Sequence, residues 1–209
     1  MVATQTKNEL LDAALSYARR GWRVFPVHTL LPSGACSCAK PECAPGGKKE
    51  KSIGKHPRTA HGLNDATTDE RTIRQWWAQW PDANIGIGTG AESGLIVVDI
   101  DGDCELPDCL RDLPRTITAQ TARGKHLYLA YPDGAKIGNR TKIAGVPIDL
   151  RGQGGYVIGP PSLHASGIRY DWLVEPWDCE LAEPSAELIA WLTEPKAHAN
   201  GKAHVTGKP

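Results

Sequence analysis

Apolar residues recur at helical spacing near the start of the chain, at Leu10, Leu11, Ala14, Tyr17 and Ala18. Thr6 and Glu9 precede them with the spacing of a capping box, and Gly21 offers a stop, so the pattern predicts a first helix. Trp22–Val27 reads as a short strand. From His28 to about His61 no period is visible; Gly, Pro, Cys and Lys dominate, which predicts a long structured loop held by some clamp. A second helix is expected from Thr67 or Thr68, with Thr67 and Glu70 as its capping box. Ile73, Trp76, Trp77 and Trp80 form its apolar face, more readily core than stacking platform, and Pro81 ends it. Short apolar runs then predict strands at 84–88, 95–99, 115–120, 126–131, 146–150 and 155–158, with one more at 169–172. A last helix is expected over 185–192. Helices at the ends around a run of strands suggest an α+β domain on a mostly antiparallel or mixed sheet, spanning 1–192, with 193–209 as a polar linker or tail.

Composition narrows the classes. The 209 residues suit one domain, and 24 Lys+Arg against 24 Asp+Glu exclude a strongly basic binder that works by counterion release alone. Twenty-two Gly and 16 Pro argue against a helical bundle. No apolar run reaches the roughly 18 residues a bilayer span needs, and the first residues lack the order of a secretory signal, so no membrane partner and a cytoplasmic location are expected.

Of six cysteines, Cys36, Cys38 and Cys43 cluster within eight residues, which favours a metal over disulfides. Three thiolates and one histidine would make a closed, structural zinc site. His28 is favoured as the fourth ligand, with His56 and His61 competing. Cys104, Cys109 and Cys179 read as small apolar fillers.

The clearest catalytic signal is LIVVDIDGD, in which an apolar strand runs into Asp99 and Asp101. Residues two apart on a strand share a face, and paired carboxylates there suit Mg²⁺ or Mn²⁺. Asp149, in VPIDLRG, is a third carboxylate at a strand end, and three would serve a two-metal phosphoryl-transfer site. Between them TARGKH offers Arg123, Lys125 and His126 as phosphate donors, with Gly124 letting backbone approach a ligand. Residues 123–151 hold six Lys/Arg against two Asp, a local excess that suggests a basic cleft for an anion. Arg151 and the Gly154–Gly155 turn are expected on the sugar or phosphate side, and Lys55 and Arg58 of GKHPR are favoured for phosphate contact. Two rivals predict other behaviour. A D-x-D nucleotide-sugar glycosyltransferase would show alternating βαβ units, and a non-catalytic zinc-bearing DNA-binding module would incorporate no nucleotide.

The succession GWRVFPV, CSCAKPEC, GKHPR, WPDANIGIGTG, GLIVVDID, KHLYLAY and DLRGQGGYVIGPPS, over about 8–175, resembles the bifunctional DNA primase/polymerase (Prim-Pol) domains of plasmids, phages and mobile elements, in the archaeo-eukaryotic primase superfamily. The resemblance implies an RRM-like catalytic sheet packed against a smaller α/β module, here with the zinc-binding loop inserted, and a site between the two. It implies synthesis from NTPs or dNTPs on a single-stranded DNA template, with or without a primer, in a prokaryotic host, and often a helicase C-terminal to the domain. The family's D-x-D falls on Asp99 and Asp101, its S-x-H on Gly124, Lys125 and His126, and its third acidic residue on Asp149. TARGK lacks the serine of that motif, which shifts the expected phosphate grip toward cationic side chains.

Overall fold

The computed structural model describes residues 3–194. Helix α1 (Ala3–Arg19) leads into β1 (Val24–Val27), followed by the long loop, α2 (Glu70–Gln79), β2 (Asn84–Thr89) and β3 (Leu95–Asp101). A single turn, α3 (Asp108–Arg111), precedes β4 (Thr118–Gln120), β5 (Gly124–Ala130), β6 (Ile148–Arg151), β7 (Gly155–Gly159) and β8 (Asp171–Val174), and α4 (Ala186–Thr193) follows. The tail expected at 193–209 begins in the last turn of α4, and residues 195–209 lie outside the described residues. Among the described residues no helix is long and apolar enough to cross a membrane.

The strands form two antiparallel sheets, one of three strands in the order β1-β2-β7 and one of five in the order β6-β3-β5-β4-β8. The five-stranded sheet is covered on both faces, and β3 shows how. Leu95 and Val97 point into a core shared with Tyr17 and Trp22 near the first helix, Trp77 of α2, and Ile85 and Ile87 of the smaller sheet. Ile96, Val98 and Ile100 point the other way, against Leu188 and Leu192 of α4 and Ile148 and Leu150 of β6. Strict alternation thus distributes one apolar strand between two cores. Each large side chain so buried contributes about 1.5–3 kcal/mol. Because the first core spans both sheets, the smaller sheet and α1 sit on the face of β3 that carries Asp99 and Asp101.

Two starts differ from the expected ones. Helix α1 already runs at Ala3, so Thr6 lies within it and is not its cap. Helix α2 is capped by Asp69, whose carboxylate accepts from Thr72 N at 2.8 Å. Thr67 cannot cap it because its backbone is extended: N–H and C=O both pair with Val24 of β1 at 3.0 Å. A chain held in a ladder is not free to turn into a helix at the same residue.

Candidate active site

Register brings the predicted catalytic residues into line. In the five-stranded sheet Asp99 stands directly opposite Asp149 of β6 on one side and His126 of β5 on the other. Directly opposed residues project to the same face with Cβ atoms about 5 Å apart, so Asp149, Asp99 and His126 form a row across three strands. Asp101, two residues on, projects beside them and is paired with Gly124. The D-x-D therefore lies within the ladder of β3, which extends two residues past the expected end.

Ion pairs hold the row. Asp99 Oδ1 is 3.4 Å from His126 Nε2, and Asp99 Oδ2 is 3.5 Å from Arg151. Arg151 also donates to Asp149 Oδ2 at 2.9 Å, and Arg123 reaches Asp101 Oδ1 at 3.3 Å. Burial by itself would raise the Asp99 carboxyl, but the His126 hydrogen bond and charge, helped by the Arg151 guanidinium, leave it below its usual range. Asp99 is thus an ionised, largely buried carboxylate at neutral pH.

A cleft of about 450 Å³ opens over Asp99, Asp101 and His126. Its second wall is β7 of the smaller sheet, from Gly155 to Ile158, with Gly154 before it, so the cleft lies between the two sheets. Lys55, Arg123 and Arg151 line it against only two carboxylates, and this excess of positive charge suits a polyphosphate. The donor chemistry also fits divalent cations: hard carboxylate oxygens side by side, with arginine and histidine as their present partners. Asp149 adjoins Asp99 in the sheet but is not among the residues lining the cleft; its Oδ1 accepts from Lys142 N at 2.9 Å.

Three expected phosphate contacts fall elsewhere. Lys125 neighbours His126 in sequence and therefore points to the opposite face of the sheet; it pairs with Ile100, which belongs to the second core, and is exposed. Arg58 is not in the cleft. Its guanidinium donates to Ser37 Oγ at 2.7 Å and lies 5.8 Å from the Trp80 ring centroid, tying the long loop to the end of α2. Gly124 does not open room for a ligand: a Cβ there would collide with the carbonyl of Ile100, so it lets β5 approach β3 beside Asp101. Gly124→Ala is expected to cost about 1–3 kcal/mol by forcing the strands apart, read as a lower denaturation midpoint; an unchanged midpoint would contradict this close approach.

The cysteine cluster assembles with a different histidine than the favoured one. Ligand atoms of Cys36, Cys38, Cys43 and His56 all lie within 4.8 Å of one another. Tetrahedral zinc with sulfur ligands at about 2.3 Å would need them about 3.8 Å apart, so three thiols and an imidazole fit it. His56 Nδ1 lies 3.0 Å from the carbonyl of Ser52, to which it donates, leaving Nε2 for a metal. His28 is instead a neighbour of the cluster. Its ring lies 4.6 Å from that of His56, and its Nδ1 is 2.9 Å from Ser37 Oγ. Burial, then Arg58, His56 and Lys40, push its pKa down to about 4. His61 is exposed and pairs with Asp65. Spacing along a loop could not rank these histidines; the turn that returns residues 52–56 to the cysteines does.

The sequence reading missed His164, Tyr156 and Tyr170, which line the cleft. Tyr170 is buried between the two histidines, with ring centroids 5.9 Å from His126 and 6.0 Å from His164. Burial first, then Asp99 and Asp101, raises its hydroxyl well above the usual range, so it stays protonated. For His164 and Tyr170 the available signal was polar and aromatic residues just after PPS, in a stretch with a weak strand pattern, whereas Tyr156 lies in the strand expected at 155–158.

A family model described as bifunctional DNA primase/polymerase, N-terminal, matches residues 14–191, most of the chain. No curated protein matches it.

Proposed function

Since the chain belongs to the bifunctional DNA primase/polymerase family, we propose that this cleft carries out template-directed nucleotidyl transfer, adding NTPs or dNTPs to a 3′-hydroxyl on a single-stranded DNA template. The observation that carries the reading is the row Asp149–Asp99–His126 with Asp101 beside it, of which Asp99, Asp101 and His126 line a cleft with three cationic side chains. Its five-stranded sheet serves as the RRM-like catalytic platform and the three-stranded sheet as the smaller module. A cytoplasmic setting, phage- or plasmid-type replication and a helicase C-terminal to the domain belong to the same proposal.

In the reaction the 3′-oxygen forms a bond to the α-phosphorus, the bond from that phosphorus to the pyrophosphate oxygen breaks, and the hydroxyl proton leaves to solvent. Asp99 and Asp101, with Asp149, would hold Mg²⁺ or Mn²⁺, which when bound lowers the pKa of the hydroxyl and neutralises charge on the phosphates. Arg151 holds Asp99 and Asp149 in register. His126, whose Nε2 faces Asp99, keeps that carboxylate ionised and offers a phosphate donor. Lys55 and Arg123 supply charge for the triphosphate, and the Gly154–Gly155 turn lets the nucleotide approach backbone. Most of the rate enhancement comes from positioning and fixed charge, because this transfer needs little covalent help from the protein. Cys36, Cys38, Cys43 and His56 would hold a structural zinc with no coordination position left for water.

The test is a template-directed assay with labelled ATP and dNTPs, with and without primer, in Mg²⁺ and in Mn²⁺. Incorporation that follows the template sequence is expected. A protein that binds DNA yet incorporates nothing with any metal would leave only a zinc-bearing binding module.

A further inference from the structure

The lining of the cleft contains a histidine whose tautomer the geometry decides. His164 sits on the hairpin that follows Pro160 and Pro161, where Leu163 bridges to Arg169 and His164 N bonds Ile168 O at 2.9 Å. Its Nδ1 accepts the backbone N–H of Ser166 at 3.1 Å and lies 2.9 Å from Ser166 Oγ. A backbone N–H can only donate, so Nδ1 carries no proton and the ring proton is on Nε2. His164 is therefore a neutral imidazole with a single donor, and it lines the cleft.

His164 has a cationic neighbour brought from a distant part of the chain. Asn84, 1 % exposed, donates from Nδ2 to Gly54 O at 2.9 Å and to Leu163 O at 2.8 Å, while its Oδ1 accepts Leu163 N at 2.9 Å. One buried amide thus ties the residue before Lys55 to the residue before His164. Lys55 is held a second time, since its carbonyl accepts from Tyr156 Oη at 2.8 Å. Among the described residues Lys55 has no carboxylate within ion-pairing distance, although it lines the cleft. Burial first, then the charges of Lys55 and Arg123, lowers the His164 pKa, which agrees with a neutral ring close to both cations. A neutral donor and an unpaired ammonium on one wall match an oxyanion that neither satisfies alone.

We propose that His164 is a nucleotide-binding residue of this cleft, donating its Nε2 hydrogen to a β- or γ-phosphate oxygen of the triphosphate alongside Lys55. The inference rests on the nucleotidyl-transfer reading. On this reading Asp99 and Asp101 hold the reacting end, and His164 with Lys55 holds phosphate oxygens of the same cleft.

The experiment measures equilibrium binding of a dNTP and of the corresponding dNMP, with Ca²⁺ as the divalent ion, to the full chain and to its His164→Ala and His164→Gln variants. Steady-state primer extension is measured alongside. His164→Ala is expected to weaken dNTP binding about tenfold or more, the range of one hydrogen bond to a charged group. The dNMP should be affected much less, and in extension KM should rise far more than kcat falls. His164→Gln, whose side-chain amide keeps an N–H donor, should recover most of the loss. Unchanged thermal melting of both variants is the expected companion result. Wild-type dNTP affinity in His164→Ala would overturn the role of His164 while leaving the catalytic reading intact. Equal losses for dNTP and dNMP, or no recovery with Gln, would overturn the phosphate contact. A wild-type chain that binds no dNTP would instead sink the nucleotidyl-transfer reading beneath it.

Discussion

Asp99→Asn is expected to lower nucleotide incorporation about a thousandfold while leaving the chain folded. The figure follows from the several kcal/mol that carboxylate-held cations supply in such transfers, at about 1.36 kcal/mol per decade of rate. The substitution is nearly isosteric, and its one amide oxygen can still accept from either His126 or Arg151, so the row of three strands keeps its packing and loses one of the two contacts. What disappears is a negative charge that the protein keeps ionised despite burial, through the His126 hydrogen bond and the Arg151 guanidinium. Asp101→Asn should act in the same direction, since Asp101 shares the face and lines the same cleft. Primer extension by the purified variants, with near-ultraviolet circular dichroism as the check on folding, decides the matter. Undiminished extension by either variant would remove the D-x-D from the mechanism.

The second large effect concerns the cysteine cluster. Cys36 and Cys43 are 1 % and 3 % exposed, yet the core around them contains only Ile53 as a further buried apolar residue, with Leu30, Cys38 and Ala165 packed alongside. So small a core cannot by itself offset the conformational entropy of a loop this long, at about 1–2 kcal/mol of backbone per ordered residue. Zinc can, because binding worth roughly 10 kcal/mol or more is delivered directly as folding free energy. Protein purified without chelator is expected to hold about one zinc per chain. Cys43→Ser, or stripping the metal, should open the loop to trypsin at Lys48, Lys49 and Lys51 while both sheets resist cleavage. His28→Ala should retain the metal and His56→Ala should lose it. Zinc retained by His56→Ala and lost by His28→Ala would reverse that assignment, and an unaltered cleavage pattern in metal-free protein would show that the loop needs no clamp.

Much of this architecture is legible in the residue pattern. The period of two in LIVVDID gives a strand and puts Asp99 and Asp101 on one face. The apolar stripe of Ile73, Trp76 and Trp77 gives α2, and the crowding of Cys36, Cys38 and Cys43 gives the thiols of a group that could hold a metal. The same period of two argued against Lys125 as a partner of His126, because adjacent strand residues face opposite ways; local clustering of charge along the chain concealed this. Arg58 reads as a phosphate contact from its Gly/Pro setting in GKHPR, yet it is occupied by Ser37 and Trp80.

The amino-acid order by itself determined the family resemblance and roughly which elements carry the candidate side chains, since periodicity, turn residues and ligand types are local properties. Only the tertiary structure decided which residues meet. The pairing of Asp99 with both Asp149 and His126 depends on the register of three strands. The choice of His56 over His28 depends on how the loop folds back. The convergence of Lys55 and His164, more than a hundred residues apart, depends on the buried amide of Asn84. Such contacts are set by packing across large separations in sequence, where no local pattern carries the information.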